Sequence, residues 1–87
     1  MNINEPDLIL YGRQDCHLCD EAEQLLQQLA SPPHYAKVDI DGQLALLRTY
    51  GPRIPVLRAR ASSAELQWPF DAAGLQRWLA QWQPHSA

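Results

Sequence analysis

The two cysteines of this chain, Cys16 and Cys19, lie three positions apart, and their surroundings constrain the fold more than any other sequence feature. Residues 8–11, just before them, form an apolar run of strand length. The residues after them carry apolar side chains at helical spacing (Leu18, Ala22, Leu25, Leu26 and Leu29). A strand, a short turn, a thiol pair and a helix in that order are typical of a redox-active Cys-x-x-Cys motif.

The length of 87 residues predicts one domain over residues 1–87, with flexible ends at 1–7 and 83–87. A net charge of -3 argues against binding to nucleic acid or a membrane surface. The apolar runs are too short to span a bilayer, and the first residues do not resemble a signal peptide. We therefore expect a cytoplasmic monomer, in a compartment where a disulfide is usually transient and catalytic.

The rest of the chain alternates between strand and helix patterns. Residues 34–40 alternate as a strand, Asp41 is a candidate N-cap for a short helix, and Gly51 and Pro52 end that helix. Strands follow at 56–59 and 64–68, and Asp71 begins a last helix with an apolar stripe. The fold class is α/β in the order βαβαββα: a four-stranded mixed sheet with a central first strand, flanked by three helices, in a thioredoxin-like layout.

The spacing of the thiols predicts their chemistry. Positions i and i+3 share a helix face, so Cys16 and Cys19 can form a disulfide across the first turn. A thiolate at a helix N-terminus is stabilised by free backbone N–H groups. Cys19 shares its face with Ala22 and Leu26 and should point inward. We predict that Cys16 is the nucleophile and Cys19 the resolving thiol.

Nearby charges leave the redox poise open. Arg13 and protonated His17 favour a Cys16 thiolate, and three acids oppose it (Asp15, Asp20 and Glu21). A structural zinc site is a weaker interpretation because no second cysteine pair completes four ligands. Two incidental helix cysteines are a further alternative. Around the second element, Ile54-Pro55-Val56, base rates alone predict a trans peptide bond before Pro55.

Three motifs in order resemble the glutaredoxin-like members of the thioredoxin-fold superfamily, in particular small bacterial proteins with Cys-x-Leu-Cys. They are the segment from Tyr11 and Arg13 through Cys16-His17-Leu18-Cys19-Asp20-Glu21, the segment Tyr50-Gly51-Pro52-Arg53-Ile54-Pro55-Val56, and Pro69-Phe70-Asp71. The resemblance covers residues 8–82. It implies a thiol–disulfide oxidoreductase with a cis Pro55 beside Cys16.

The same resemblance implies substrate contacts. The backbone of Ile54 would pair with a bound thiol substrate, Arg13 would contact a glutathione carboxylate, and Arg53 is a further candidate contact. The partner would be a disulfide-containing protein or a small-molecule thiol. No tightly bound cofactor is expected, and glutathione would act as a co-substrate.

The chain departs from the dithiol glutaredoxin pattern at two places. His17 replaces the proline that often follows the first cysteine, and Trp68-Pro69 replaces a Gly-Gly pair whose N–H groups bind a glutathione carboxylate. Pro69 has no N–H to donate, so we expect weak coupling to glutathione. The alternatives to an oxidoreductase are a non-catalytic partner-binding module of the same fold and, less favoured, a metal-binding module.

Overall fold

The computed structural model describes residues 6–82. Along the chain, the structure has these elements: β1 Leu8–Gly12, α1 His17–Gln28, β2 Tyr35–Asp39, α2 Leu44–Tyr50, a 3-10 turn at Gly51–Arg53, β3 Val56–Ala59, β4 Glu65–Gln67 and α3 Ala72–Trp82. The order βαβαββα is therefore confirmed. The short polar link between β3 and β4 forms a hairpin, as the sequence predicts.

The strands form one mixed sheet in the order β2-β1-β3-β4. Strand β1 pairs in parallel with β2, which the crossover through α1 requires, and antiparallel with β3. Strand β4 pairs antiparallel with β3 at the opposite edge from β2. Because β1 has a neighbour on each side, its carboxyl end and the thiol turn that follows lie at the middle of the sheet edge.

Each face of the sheet carries its own apolar cluster. On one face, Leu8, Leu10 and Leu57 pack with residues of α1 and α3, including Leu26 and Leu75. The other face bears a smaller cluster under α2 (Tyr11, Ile40, Tyr50 and Val56). The apolar run of β1 thus has helices on both sides, which is why it does not alternate.

The structure corrects two helix boundaries. Helix α1 ends at Gln28 rather than near Ala30, because Leu29 takes an extended backbone and packs against the core. Asp41 does not cap α2. Gly42 adopts a positive φ of 84°, Gln43 is the N-cap, and the Asp41 carboxylate binds Arg13 instead.

The ends predicted to be flexible lie mostly outside the described residues. Two residues of the first end, Pro6 and Asp7, are described. The backbone N–H of Asp7 donates to the carbonyl of His34 at 2.8 Å, and the carbonyl of Pro6 accepts from Arg60 at 3.0 Å. Between residues 6 and 82, no helix is both long and apolar enough to cross a membrane.

Candidate active site

Cys16 lies at the N-terminal end of α1, where β1 delivers the chain through a tight turn. Asp15 has a positive φ of 57° in that turn, a conformation that aspartate tolerates better than most residues. Cys16 is the N-cap of α1, with an extended backbone, and its Sγ accepts the backbone N–H of Cys19 at 3.2 Å. The side chain of Cys16 therefore caps the helix that carries Cys19.

Cys16 and Cys19 form a disulfide across the first turn of α1, with their Cα atoms 5.2 Å apart. The two residues differ in access to solvent. Cys16 is partly exposed, whereas Cys19 is only 7% exposed and lies on the buried face with Ala22 and Leu26, as predicted. An incoming sulfur atom can therefore reach Cys16 more easily than Cys19.

Gly12 closes the space beside the buried thiol, a role that the sequence analysis missed. A Cβ atom at this position would lie 2.9 Å from Cys19 Sγ and 3.3 Å from Cys19 Cβ. The end of β1 thus approaches α1 more closely than any side chain allows. The signal in the sequence was a glycine between a buried strand and a thiol turn, a place where close backbone approach is common.

The charged groups near the thiols are largely paired with each other. Arg13 Nη2 lies 2.7 Å from Asp41 Oδ1, and His17 Nε2 lies 2.9 Å from Glu21 Oε2. Both pairs are exposed to solvent, so each contributes little to stability. Arg13 is therefore already bound to a carboxylate of the protein, and a substrate carboxylate would have to compete with Asp41 for it.

A half-open cavity of about 260 Å³ lies beside Cys19, between α1 and β2. Glu23 and Lys37 line it, 3.0 Å apart, and the Tyr35 hydroxyl donates to Glu23 at 2.6 Å. The hydrogen bond from Tyr35, with a further contribution from Lys37, holds the pKa of Glu23 below its ordinary value of 4.5. Glu23 therefore stays ionised at neutral pH. The sequence did not predict the cluster of Glu23, Tyr35 and Lys37, because no pattern in it indicates that the polar face of β2 packs against α1.

The peptide bond between Ile54 and Pro55 is cis. The trans bond expected from base rates is therefore wrong, and the cis bond implied by the resemblance is correct. Pro55 is fully buried, and its carbonyl accepts the backbone N–H of Trp68 at 3.3 Å. A second cis bond, between Trp68 and Pro69, was not predicted.

Arg53 and Ile54 lead into this proline. Ile54 is half-buried with an extended backbone, and it packs against the cluster under α2. The Arg53 guanidinium donates to the carbonyl of Thr49 at 3.1 Å and to Gln67 Oε1 at 2.8 Å. Like Arg13, it is engaged by groups of the protein itself.

Metal binding was one of the alternatives from the sequence. Among residues 6–82, no group of three or more His, Cys, Asp or Glu side chains is arranged to hold a metal ion. The described part of the chain gives that alternative no support.

A known family model matches most of the chain. The family model described as Glutaredoxin-like domain (DUF836) matches residues 7–80. No match was found among curated proteins.

Three solved structures are similar over most of their length. The crystal structure of XcR50 from X. campestris shares 49% identity at a TM-score of 0.79, covering 85% of this chain and 96% of that one. Its solution structure gives 48% identity and 0.79, with coverage of 92% and 99%. Ne2328 from Nitrosomonas europaea gives 35% identity and 0.66, with coverage of 90% and 96%.

Proposed function

Because this chain belongs to the glutaredoxin-like domain family, we propose that it is a thiol–disulfide oxidoreductase that works through Cys16 and Cys19. The observation that carries the proposal is the asymmetry of the pair. A partly exposed cysteine caps a helix, and a buried cysteine lies within disulfide distance one turn further on. A pair kept only for stability would have no need of this difference in access.

In the proposed reaction, the Cys16 thiolate attacks one sulfur of a substrate disulfide. A mixed disulfide forms, and the first substrate thiolate leaves and takes a proton. The Cys19 thiolate then attacks Cys16 Sγ, which forms the intramolecular disulfide and releases the second substrate thiol. One substrate disulfide is reduced to two thiols while the protein dithiol is oxidised, and an external thiol donor restores the dithiol.

The residues around the pair support these steps in different ways. The free N–H groups at the start of α1 stabilise a thiolate on Cys16, and the Cys19 N–H already points at Cys16 Sγ. We propose that the Ile54 backbone pairs with the substrate beside Pro55. The substrate would be a disulfide-containing protein or a small thiol compound in a reducing compartment such as the cytoplasm.

Glutathione is proposed as a weak co-substrate rather than a bound cofactor. Pro69 offers no N–H to a glutathione carboxylate, and the Trp68 ring packs edge-on against Phe70 at 5.0 Å beside it. Arg13, the other candidate carboxylate contact, is already paired with Asp41. Both features weaken the recognition of an anionic tripeptide.

The test combines a redox titration with turnover. Protein equilibrated with graded ratios of reduced and oxidised dithiothreitol should show one two-electron transition between dithiol and disulfide, measured by thiol alkylation. Hydroxyethyl disulfide reduction should be lost in Cys16→Ser, while Cys19→Ser should accumulate the mixed disulfide at Cys16.

Two outcomes would contradict the proposal in different ways. Full activity in Cys16→Ser with loss in Cys19→Ser would reverse the two roles. A pair that stays inert across the titration would rule out the oxidoreductase. It would favour the partner-binding module, for which Leu18, 44% exposed between the cysteines, is an available contact.

A further inference from the structure

We infer that Arg53 is a positioning residue, which ties the Ile54–Pro55 segment to the edge strand β4, and not a contact for a substrate carboxylate. The inference rests on the proposed function, because it concerns the segment on which the substrate would dock. It replaces the role that the sequence suggested for Arg53. It also assigns a role to Tyr50, Glu65 and Gln67, which had none.

The Arg53 guanidinium joins α2 to β4. Its Nε donates to the carbonyl of Thr49 at 3.1 Å, near the end of α2. Its Nη1 donates to Gln67 Oε1 at 2.8 Å and lies 3.4 Å from Glu65 Oε1, both on β4. Its Cζ lies 5.1 Å from the centre of the Tyr50 ring. A planar fork over an aromatic ring is an arrangement that arginine makes and lysine does not.

Glu65 and Tyr50 complete the cluster. The Tyr50 hydroxyl donates to Glu65 Oε2 at 2.7 Å, so one carboxylate accepts from both Tyr50 and Arg53. The Tyr50 ring stacks on Tyr11 of β1, with centroids 4.1 Å apart and planes 14° from parallel. Arg53, Tyr50 and Tyr11 therefore form three layers that run from the proline segment to the strand leading into the thiol turn.

The proline segment is held to β4 on two sides. Arg53 donates hydrogen bonds to the side chains of Glu65 and Gln67. Two residues later, the Pro55 carbonyl accepts the Trp68 N–H at 3.3 Å. Within residues 6–82, strand β4 has three residues and pairs with β3 at the edge of the sheet. Without Arg53, the segment that contains Ile54 would lose its side-chain contacts to β4, and the Ile54 backbone would be held less firmly in place.

The same contacts occupy Nε and Nη1 of the guanidinium, which a substrate anion could otherwise use. The Arg53 and Glu65 side chains are each 29% exposed, and a substrate carboxylate would have to compete with Glu65 and Gln67 for Nη1 of the guanidinium. If Arg53 positions the segment, its loss should impair all substrates alike. If it binds a carboxylate, the loss should depend on substrate charge.

The experiment measures kcat/KM for three disulfides of different charge: cystamine, hydroxyethyl disulfide and glutathione disulfide. Arg53→Ala should lower the value about tenfold for all three, because the docking segment is misplaced. Arg53→Lys should be impaired to a similar degree, because lysine keeps the charge but not the fork. Arg48→Ala, an exposed arginine on α2, is the matched control and should be unchanged.

Glu65→Ala provides an independent check, since Glu65 could never bind a substrate carboxylate. It should reproduce the uniform loss, and the Arg53→Ala/Glu65→Ala double variant should be no worse than about twofold below either single variant. A loss confined to glutathione disulfide, restored by Arg53→Lys and absent in Glu65→Ala, would overturn the inference.

A structural readout keeps this test separate from the proposed function. Amide hydrogen exchange of folded Arg53→Ala should become faster at the Trp68 N–H, which bonds Pro55, and stay unchanged at Leu10 in the middle of the central strand β1. If wild type reduced none of the three disulfides, the proposed function would fail, and exchange alone would decide the inference. Unchanged exchange at Trp68 would overturn it.

Discussion

At the scale of single residues, Gly12 shows how little room the thiol pair has. A methyl group there would lie 2.9 Å from Cys19 Sγ, well inside contact distance. We expect Gly12→Ala to lower the free energy of unfolding by about 1–3 kcal/mol, the usual cost of overpacking. Urea unfolding of the oxidised protein measures it.

The control for this substitution removes the sulfur atom. In a Cys19→Ala background the closest atom is gone, so adding the Gly12→Ala change should cost clearly less than it does in the wild type. An equal cost in both backgrounds would show that the strain lies elsewhere in β1.

Arg13 and Asp41 lead to a prediction about specificity. Asp41 holds the Arg13 guanidinium at 2.7 Å, so it competes with any substrate carboxylate. Asp41→Asn should raise kcat/KM for glutathione disulfide about two- to fivefold, in keeping with the 0.2–1 kcal/mol of an exposed ion pair. Cystamine reduction should not rise, and the gain should shrink at high salt.

The matched control for Asp41→Asn is Asp20→Asn. It removes the same charge close to the thiols, but Asp20 makes no ion pair with Arg13. An equal rise in the control would mean that net charge, rather than the release of Arg13, governs the preference.

The limits of sequence reasoning are also visible at this scale. The thiol pair and the inward face of Cys19 followed from spacing alone, because helical periodicity is a local property. The partner of Arg13 is 28 positions away, and the β4 partners of Arg53 are 12 and 14 positions away, on a loop and a strand whose register no local pattern fixes. The cis bond at Pro55 came from resemblance, since the local preference is for trans.

At the scale of elements, α3 depends on Asp71, the residue just before it. Asp71 Oδ1 accepts the Gly74 N–H at 2.7 Å, and the Asp71 carbonyl accepts the Leu75 N–H at 2.9 Å, as the predicted cap requires. Asp71→Ala should lower the unfolding free energy by about 1 kcal/mol, within the usual 0.5–2. Asp71→Asn keeps an acceptor and should stay within a few tenths of wild type. Equal losses in the two variants would exclude capping as the cause.

The boundaries of α1 and α2 show why element ends are harder to predict than elements. The sequence predicts an α2 cap at Asp41, a good capping residue, but Gly42 turns the chain and Asp41 faces Arg13. The tight turn at Gly42 prevents Asp41 from taking the capping position that its local preference favours. Helix α2 then begins at Leu44 without a side-chain cap.

At the scale of the whole molecule, Tyr50 links the cluster under α2 to the edge strand β4. Its environment also makes the stability of the protein depend on pH. Burial first, and then the hydrogen bond and charge of Glu65, raise the pKa of Tyr50 from its ordinary 10 to about 12. A raised pKa in the fold means stability that is complete below pH 10 and lost as pH rises towards 12.

The variant that isolates this effect is Tyr50→Phe. It should be less stable than wild type at pH 7, because Glu65 loses a donor, and the difference should shrink as pH rises from 10 to 12. Thermal unfolding at a series of pH values measures both curves. Tyr35, whose pKa is also raised, contributes equally to both proteins and cancels in the comparison. A constant difference up to pH 12 would contradict the assignment.

The architecture as a whole was predictable because each element carried its own signal. The apolar run of β1 required cover on both faces, and the alternation of Tyr35 to Asp39 required one apolar face and one polar face. The two clusters on opposite faces of the sheet satisfy both. The packing of the polar face of β2 on Glu23 depended on the exact angle of α1, which no sequence pattern contains.

The Cys16–Cys19 bond joins two residues that α1 already holds one helical turn apart, with the Cys19 N–H directed at Cys16 Sγ. Closing or opening so short a loop changes the freedom of the unfolded chain far less than a bond between distant segments would. The reduced and oxidised forms of the protein should therefore have nearly the same shape. An electron donor that acts only on the oxidised form would then have to contact the sulfur atoms themselves, because the rest of the surface should differ little between the two forms.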